Sequence, residues 1–585
     1  MKILLIQPPI RDFYRTSART QPIGLAYLAA SLRKHGHEVE ILDCQIEKKK
    51  SIPLPPELSY LRDYYPFDDR SPFKLYSAFY HFGIGREEIR QRIESSEADV
   101  FGISSSFTPY HGEALEIARL IKDWDRRKIV VMGGSHVSGD PAGILRSPYV
   151  DYAVLGEGEI RFPLLLERIE KRGVEGIREI DGTGYRENGE IKITPLQSFV
   201  QDLDSLPYPA RDLLDLDRYR IKKKRLTMLI TSRGCPHRCT YCSARLVMGN
   251  AFRTRSPEAI VEEMKDCRER FGIQVFDIED DNFTFDRKRG KDLIKLIVGT
   301  FGEGNLELSA MNGVSFASMD GELLGLMKKA GFHTINLSFV STDVLTKERM
   351  RRPKAMIEFD QILEGTGHVG LHVIAYGIFG MPGQTLEEMI DTLIYLMEKR
   401  VLIGPSIYYP VSGTPLFEQC KREGLLPIHP SQWRSSAFPI ETNEFRRIDL
   451  VTLFRLARVI NFIKGKMDKK ELEEGITWRE LSHILKEKVK AEAEDEDQVE
   501  AKAEFEGKDK GRVNSDTPCA MRYAPCDISW KDLLLLLFNE RGFFSLKKEV
   551  DGRMVAIKEK SSKRVLDYFF EKAWDHPILK SHHDS

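Results

Sequence analysis

At 585 residues the chain exceeds what one hydrophobic core can organise, and its length predicts several domains. Lys+Arg total 88 against 89 Asp+Glu, so the formal net charge of −1 gives no electrostatic case for nucleic acid or an anionic membrane as partner. Eight cysteines, three of them crowded into residues 235–242, exclude a disulfide framework and point to a reducing, cytoplasmic compartment with a metal site.

No targeting or membrane-spanning segment is expected. The opening run MKILLIQPPI is short and ended by two prolines, and the late run LLLLLF (533–538) is far too short to cross a bilayer. Residues 1–170 alternate strand and helix. Apolar or alternating runs predict strands at 2–8, 37–43, 98–105, 128–134 and 151–159. Helical periodicity predicts helices at 22–36, 111–124 and from about Phe162. A Pro- and Tyr-rich insertion occupies 52–80. The expected fold is an α/β, doubly wound, Rossmann-like domain with its ligand at the carboxyl ends of the strands. Small and polar residues gather there: Gly24 at the first helix, Ser104, Ser105, Ser106 and Thr108 after the third strand, and Gly133, Gly134, Ser135 and His136 after the fourth. Gly156, Glu157, Gly158 and Glu159 make up the carboxyl end of the fifth.

Residues 171–224 read as a connector. From 225 to 430 a second alternating series begins, with strands at 225–232, 274–280, 306–312, 334–340, 371–380 and 405–411. About six β/α units predict a partial (β/α)6, TIM-like parallel barrel. The helix at 256–272 has Ser256 as N-cap and Pro257 at its first position. Residues 431–585 are expected to be mostly helical, with a charged linker or solvated helix near 486–517.

The first barrel strand runs directly into TSRGCPHRCTYCSA, residues 231–244. Cys235, Cys239 and Cys242 supply three thiolates from one loop, where a closed structural zinc site needs four ligands. His237 could complete such a site, though its place inside the tight loop is awkward. The alternative is a 4Fe–4S cubane held by three cysteines with one iron left open. Cys44, Cys267 and Cys420 read as plain buried or surface thiols, and Cys519 and Cys526 do not by spacing define a second metal site.

Cys235, Cys239, Tyr241 and Cys242 fit a C-x3-C-x-aromatic-C signature after a barrel strand, and in this the sequence resembles the radical S-adenosylmethionine superfamily. The resemblance implies that the open iron chelates the amino and carboxylate groups of S-adenosylmethionine and that the reduced cluster cleaves it to a 5′-deoxyadenosyl radical. It also implies an external electron donor such as flavodoxin or ferredoxin. Tyr241 is expected near the adenine, or else as a loop anchor. Asp280, Asp281 and Asn282, ending FDIEDDNFTFD, are candidates to hold the methionine amine, which needs acceptors; the bland reading is a strand-end turn with a helix cap. Gly377, Gly380 and Gly383 in YGIFGMPGQT are expected to let backbone approach the adenine. The fourth barrel strand departs from the family pattern. Val340 stands where a polar ribose contact is expected, with Ser338 or Asp343 as substitutes.

QPIGLAYLAASLRKHGHEVEILD, ADVFGISSSFTPYHGEALEIA, VVMGGSHVSGDPAGIL and VDYAVLGEGE together resemble the cobalamin-binding domain fused to many such proteins. No D-x-H-x-x-G motif is present, so His136 reads as a loop residue near the corrin and not as an axial ligand. The alternative is a Rossmann-like domain without cobalamin. The combined resemblance covers roughly 1–430 and implies a cobalamin-dependent C-methyltransferase using a 4Fe–4S cluster, S-adenosylmethionine and cobalamin. The rival readings are a non-methylating cyclase or rearrangement enzyme of the same class, or a non-catalytic cobalamin- or metal-binding protein. The substrate, whether small molecule, lipid precursor or peptide, is not written in the sequence.

Overall fold

The computed structural model describes all residues except 14–20, 46–48, 172, 313, 354–355, 489–527, 550–551 and 583–585. The charged stretch near 486–517, from 489 onwards, and Cys519 and Cys526 therefore lie outside the described residues.

The apolar run Lys2–Gln7 (β1) sits inside a seven-stranded sheet, between Glu38–Asp43 (β2) and Val100–Ser104 (β3). Ile129–Gly133 (β4) and Tyr152–Val154 (β5) extend it, and these five strands are parallel in the order β5-β4-β3-β1-β2. Helices cover both faces, so the strands are apolar on both sides and two separate cores form. The order reverses between β1 and β3, which opens a crevice at the carboxyl ends. A hairpin, Thr183–Glu187 (β6) and Glu190–Ile193 (β7), adds antiparallel to the β5 edge. The sequence reading assigned this hairpin to a connector. The fifth strand also ends earlier than expected, because Gly156 turns the chain with φ 65° and the next helix already starts at Gly158.

The second sheet is an open arc. Lys224–Leu229 (β8), Val275–Ile278 (β9) and Glu307–Ser309 (β10) pair in parallel, as do Thr334–Val340 (β11), His372–Phe379 (β12) and Leu402–Ile407 (β13). The isolated bridges Leu308↔Phe332 and Val314↔Leu337 join the two halves. β8 stops at Leu229, short of the expected Ser232, because Asp280 draws the chain aside at Thr231: one carboxylate oxygen accepts from Thr231 N at 2.7 Å, the other from its Oγ1. The helix Pro257–Phe271 starts with Ser256 Oγ accepting from Ala259 N and ends on Gly272 in the left-handed region.

The C-terminal region completes the arc. It contains the long helix Arg447–Asp468, further helices at Trp530–Glu540 and Lys563–Ala573, and a hairpin of Phe544–Lys548 with Met554–Lys558. Its apolar side chains share one core with the barrel and with Leu58, Leu61, Tyr65 and Phe73 of the 52–80 insertion. Tyr60 Oη also donates to Ala437 O at 2.9 Å. Asn461 lies against the last strand: its Oδ1 accepts from Ile403 N at 2.9 Å and its Nδ2 donates to Ile403 O at 2.8 Å. Among the described residues no helix is long and apolar enough to cross a membrane.

Asn461→Leu should strip both partners from the Ile403 backbone. An unsatisfied buried backbone group costs about 1–3 kcal/mol, so denaturant unfolding of the barrel should shift to distinctly lower concentration. An unshifted midpoint would show that water replaces the amide at no cost.

Candidate functional site

Residues 234–252 form a loop clasped at its base. Ser232–Arg233 pairs antiparallel with Arg253–Thr254, matching Ser232 to Thr254 and Arg233 to Arg253. Gly234 enters the loop at φ 82°, and a side chain there would meet Ala251 O at 2.2 Å. Its N–H donates to Asp281 Oδ2 at 3.0 Å. Cys235, Cys239 and Cys242 follow, all as free thiols.

The loop suits a cluster in its donor set. Burial, and the neighbouring Cys239, Asp281 and Cys235, push the Cys242 thiol up to about 11, opposed only by the Ala244 N–H. Burial likewise raises Cys235. Three thiols gathered beside a carboxylate give up their protons readily only to a cation. Among the described residues no three His, Cys, Asp or Glu side chains close on a single ion. His237 turns its ring edge-on to Phe285, 5.8 Å away between centroids.

The strand-end acids divide by face. Asp280 is 2% exposed and accepts from Thr231 N at 2.7 Å, from Thr231 Oγ1, and from Ser232 Oγ at 2.6 Å. Its carboxylate is therefore committed to the clasp, contrary to the expectation that it is open to a ligand. Asp281 remains open beside the cysteines apart from its Gly234 contact. Asn282 Nδ2 approaches Cys235 Sγ at 3.9 Å, and among the described residues its buried Oδ1 has no hydrogen-bond partner. The division arises past the end of β9, where Asp280 turns to Thr231 and Ser232 while Asp281 turns to Gly234.

Tyr241 packs at the edge of the barrel core, beside Cys239, Cys242 and Arg352. Arg352 itself was not singled out from sequence. Its Nη1 lies 3.8 Å from Cys239 Sγ and its Nη2 donates to Ser338 O at 2.8 Å. It follows a helix in a stretch of several basic residues, and spacing alone does not distinguish it.

Val340 adopts φ 75°, unusual for a β-branched residue, in a turn that Ser341 N closes onto Phe339 O at 3.2 Å. Its side chain is buried at 2% exposure, which leaves Ser338 as the last residue on the Asn336 face of the strand. Asp343 is not available as a substitute, because it caps the helix Val344–Arg349 through Thr346 N. Gly377 faces the helix layer, where a side chain would meet Phe379 and Leu396 at 3.1 and 3.7 Å. At Gly380 it would meet Leu450 at 2.8 Å, and Gly383 turns at φ 84° beside Arg349. The close approach expected at Gly377 and Gly380 is thus to protein.

Facing the loop is a cavity of about 440 Å³ at the carboxyl ends of the first sheet. Gly24, Ser104, Ser105, Ser106, Gly133, Gly134 and Ser135 line it, together with Gly156, Glu157, Gly158 and Glu159. Gly134 has φ 112°, and a side chain there would strike Ser105 O at 2.7 Å. Ser105 Oγ and Gln21 Nε2, both on lining residues, are buried without hydrogen-bond partners among the described residues. A small-residue cradle with orphaned polar atoms fits a large polar cofactor such as cobalamin.

Thr108 and His136 do not line the cavity, contrary to expectation. They hold each other beneath it, Thr108 Oγ1 to His136 Nδ1 at 3.0 Å, and the His136 ring packs against His111 at 4.9 Å. The carboxylates of Glu157 and Glu159 are engaged too. Arg233 donates to Glu157 at 3.0 Å and to Glu159 at 2.6 Å, and Arg253 donates to Glu157 at 2.9 Å. Arg233, Val247, Met248 and Glu279 bring the cysteine-loop side of the molecule into the cavity wall. None of these four was a candidate from sequence; Glu279 lies one residue before the acids that were.

Residues 76–166 match the B12 binding domain and residues 229–396 the radical SAM superfamily. The chain thus carries a B12-binding domain followed by a radical SAM domain, the arrangement of cobalamin-dependent radical S-adenosylmethionine enzymes. Cytidylyl-2-hydroxyethylphosphonate methyltransferase of Streptomyces wedmorensis is 28% identical over 74% of this chain and 84% of its own. An uncharacterised methyltransferase of Pyrococcus horikoshii is 27% identical over 81% of this chain and 95% of its own. The radical S-adenosylmethionine methyltransferase TsrM of Kitasatospora setae, solved with cobalamin and a [4Fe-4S] cluster, shares the fold at TM-score 0.54 and 18% identity, covering 74% of this chain and 81% of that one.

Burial, with His111 adding to it, lowers His136 to about 4, well under its ordinary 6.5. The fold therefore holds the ring neutral. That contribution to stability is complete above pH 6.5 and declines as pH falls toward 4, where the unfolded chain takes up a proton first. Thermal unfolding followed from pH 7 to pH 5 should show a falling midpoint that flattens in His136→Gln. Equal slopes in both proteins would refute this.

Proposed function

We propose that the protein is a cobalamin-dependent radical S-adenosylmethionine methyltransferase acting on an unactivated carbon. The observation that carries this reading is the shared wall: a three-cysteine loop at the mouth of an open parallel barrel and a glycine-lined cavity at the end of a doubly wound sheet meet through Arg233, Val247 and Met248. When bound, the cluster with S-adenosylmethionine supplies a carbon-centred radical and cobalamin supplies the methyl group.

The chain's own residues bind and orient. Cys235, Cys239 and Cys242 would each hold one iron. The open carboxylate of Asp281 is suited to the methionine ammonium, and the guanidinium of Arg352 beside Cys239 to the methionine carboxylate. Ser338 is suited to a ribose hydroxyl and Tyr241 to the adenine side. On the other wall Gly24, Ser104, Ser106, Gly133, Gly134 and Gly156 would admit the corrin edge. Among the described residues no histidine lines the cavity, so the chain's contacts to cobalamin there would come from small residues and backbone. The cluster would need an external one-electron donor of the flavodoxin or ferredoxin kind.

Anaerobically reconstituted protein should carry one 4Fe–4S cluster and release both S-adenosylhomocysteine and 5′-deoxyadenosine on turnover. Alanine at Cys235, Cys239 or Cys242 should abolish cluster and turnover. Stoichiometric zinc without iron would overturn the cluster, and 5′-deoxyadenosine without S-adenosylhomocysteine would favour a cyclase or rearrangement instead.

The acids should separate. Asp281→Asn removes a charge-assisted bond of roughly 1.5–3 kcal/mol, so S-adenosylmethionine affinity should fall about ten- to a hundredfold at unchanged iron content. Asp280→Asn should instead lower iron content by loosening the clasp. Undiminished affinity in Asp281→Asn would place the ammonium elsewhere, with Asn282 Oδ1 the next acceptor.

A further inference from the structure

We propose that Glu157 is a positioning residue that couples occupancy of the cobalamin cavity to occupancy of the cysteine loop, so that each cofactor strengthens the binding of the other. This rests on the cofactor assignment above.

Glu157 belongs to the loop after β5, between Gly156 and Gly158, and lines the cavity. Its side chain leaves that wall for the base of the cysteine loop. Oε1 accepts from Arg233 Nη1 and from Arg253 Nη1, both at 3.0 Å, and Oε2 accepts from Arg253 Nη1 at 2.9 Å and from Val200 N at 2.7 Å. Arg233 and Arg253 are cross-strand partners in the clasp, so one carboxylate ties together the strand that enters the loop and the strand that leaves it. Glu157 is 2% exposed and Arg233 3%, so little solvent is at hand to substitute for these contacts.

A second connection runs beside the first. The helix Ala244–Met248, which follows Cys242 directly, packs on the helix Ser135–Gly139 that follows the cradle glycine Gly134. Val247 O lies 3.3 Å from where a side chain on Gly156 would begin. The loop's entry, its outgoing helix and its closing strand therefore all touch the cavity rim.

Three iron–sulfur bonds fix the loop between its clasped ends. Fixing the ends fixes the guanidinium groups, and these fix Glu157 and the rim beside it. A cofactor that enters a wall already ordered loses less conformational entropy on binding. Linkage makes the effect equal in both directions.

The test compares the dissociation constant of hydroxocobalamin for the full chain with its cluster loaded and after anaerobic chelation of the iron. The parent should bind more tightly when loaded, by about five- to a hundredfold, the usual range of coupling between sites. In Glu157→Gln the two constants should converge while iron content stays at four per chain. If that variant does not fold, Glu159→Gln, which takes the negative charge out of the 2.6 Å contact to Arg233, should shrink the ratio in the same direction. Equal constants in the parent, or an undiminished ratio in the variant that folds, would overturn the coupling. Failure of the parent to bind hydroxocobalamin in either state would instead overturn the cofactor assignment itself.

Discussion

The relation between the two halves of the molecule depends on a buried ion cluster in which Arg233 donates to Glu157 and Glu159 while Arg253 donates to Glu157. Each charge was removed from water at a cost of several kcal/mol, and it is tolerable only while its partner stays in place. The arrangement is therefore demanding in geometry. The forked guanidinium of Arg233 must meet two carboxylates at once, which fixes the loop after β5 against the loop that holds the cysteines. A greasy contact of equal area would tolerate sliding. These charges do not, and they set the facing walls at one spacing and one register.

Much of this was legible in the sequence, for identifiable reasons. The strands of both sheets are marked by apolar runs that need only local information, and β11 was read to its last residue. The cysteine spacing is equally local. Several misreadings came from long-range contacts. The GEGE segment looked like a polar loop waiting for a ligand, because nothing nearby in sequence shows that arginines some 75 and 95 residues on will neutralise it. Asp280 and Asp281 look alike in sequence. Only the pairing of Asp280 with Thr231 and Ser232 separates them. His136 and Thr108 stand at strand ends where ligands gather, yet each found the other first.

The fourth barrel strand shows a different kind of illegibility. Val340 looked like a lost polar contact. In the fold it is the centre of a strained turn, of the kind that costs about 1–3 kcal/mol and persists because its surroundings demand it. The turn carries Val340 into the core and leaves the carbonyl of Ser338 to Arg352, which reaches back to Cys239. A cation from the following segment thus stands between the strand end and the cysteine loop, a placement that no reading of strand periodicity could find.

An incomplete barrel has two raw borders, and each exposes a row of backbone donors and acceptors that any extended peptide could adopt as a template. Here the chain itself covers part of each. The short Arg220–Ile221 strand pairs along one. Along the other the carboxamide of Asn461 presents one acceptor and one donor to Ile403, as a neighbouring strand would. A single side chain thus works as a selvedge at Ile403, occupying the donor and the acceptor that a strand from another copy of the protein would otherwise pair with there.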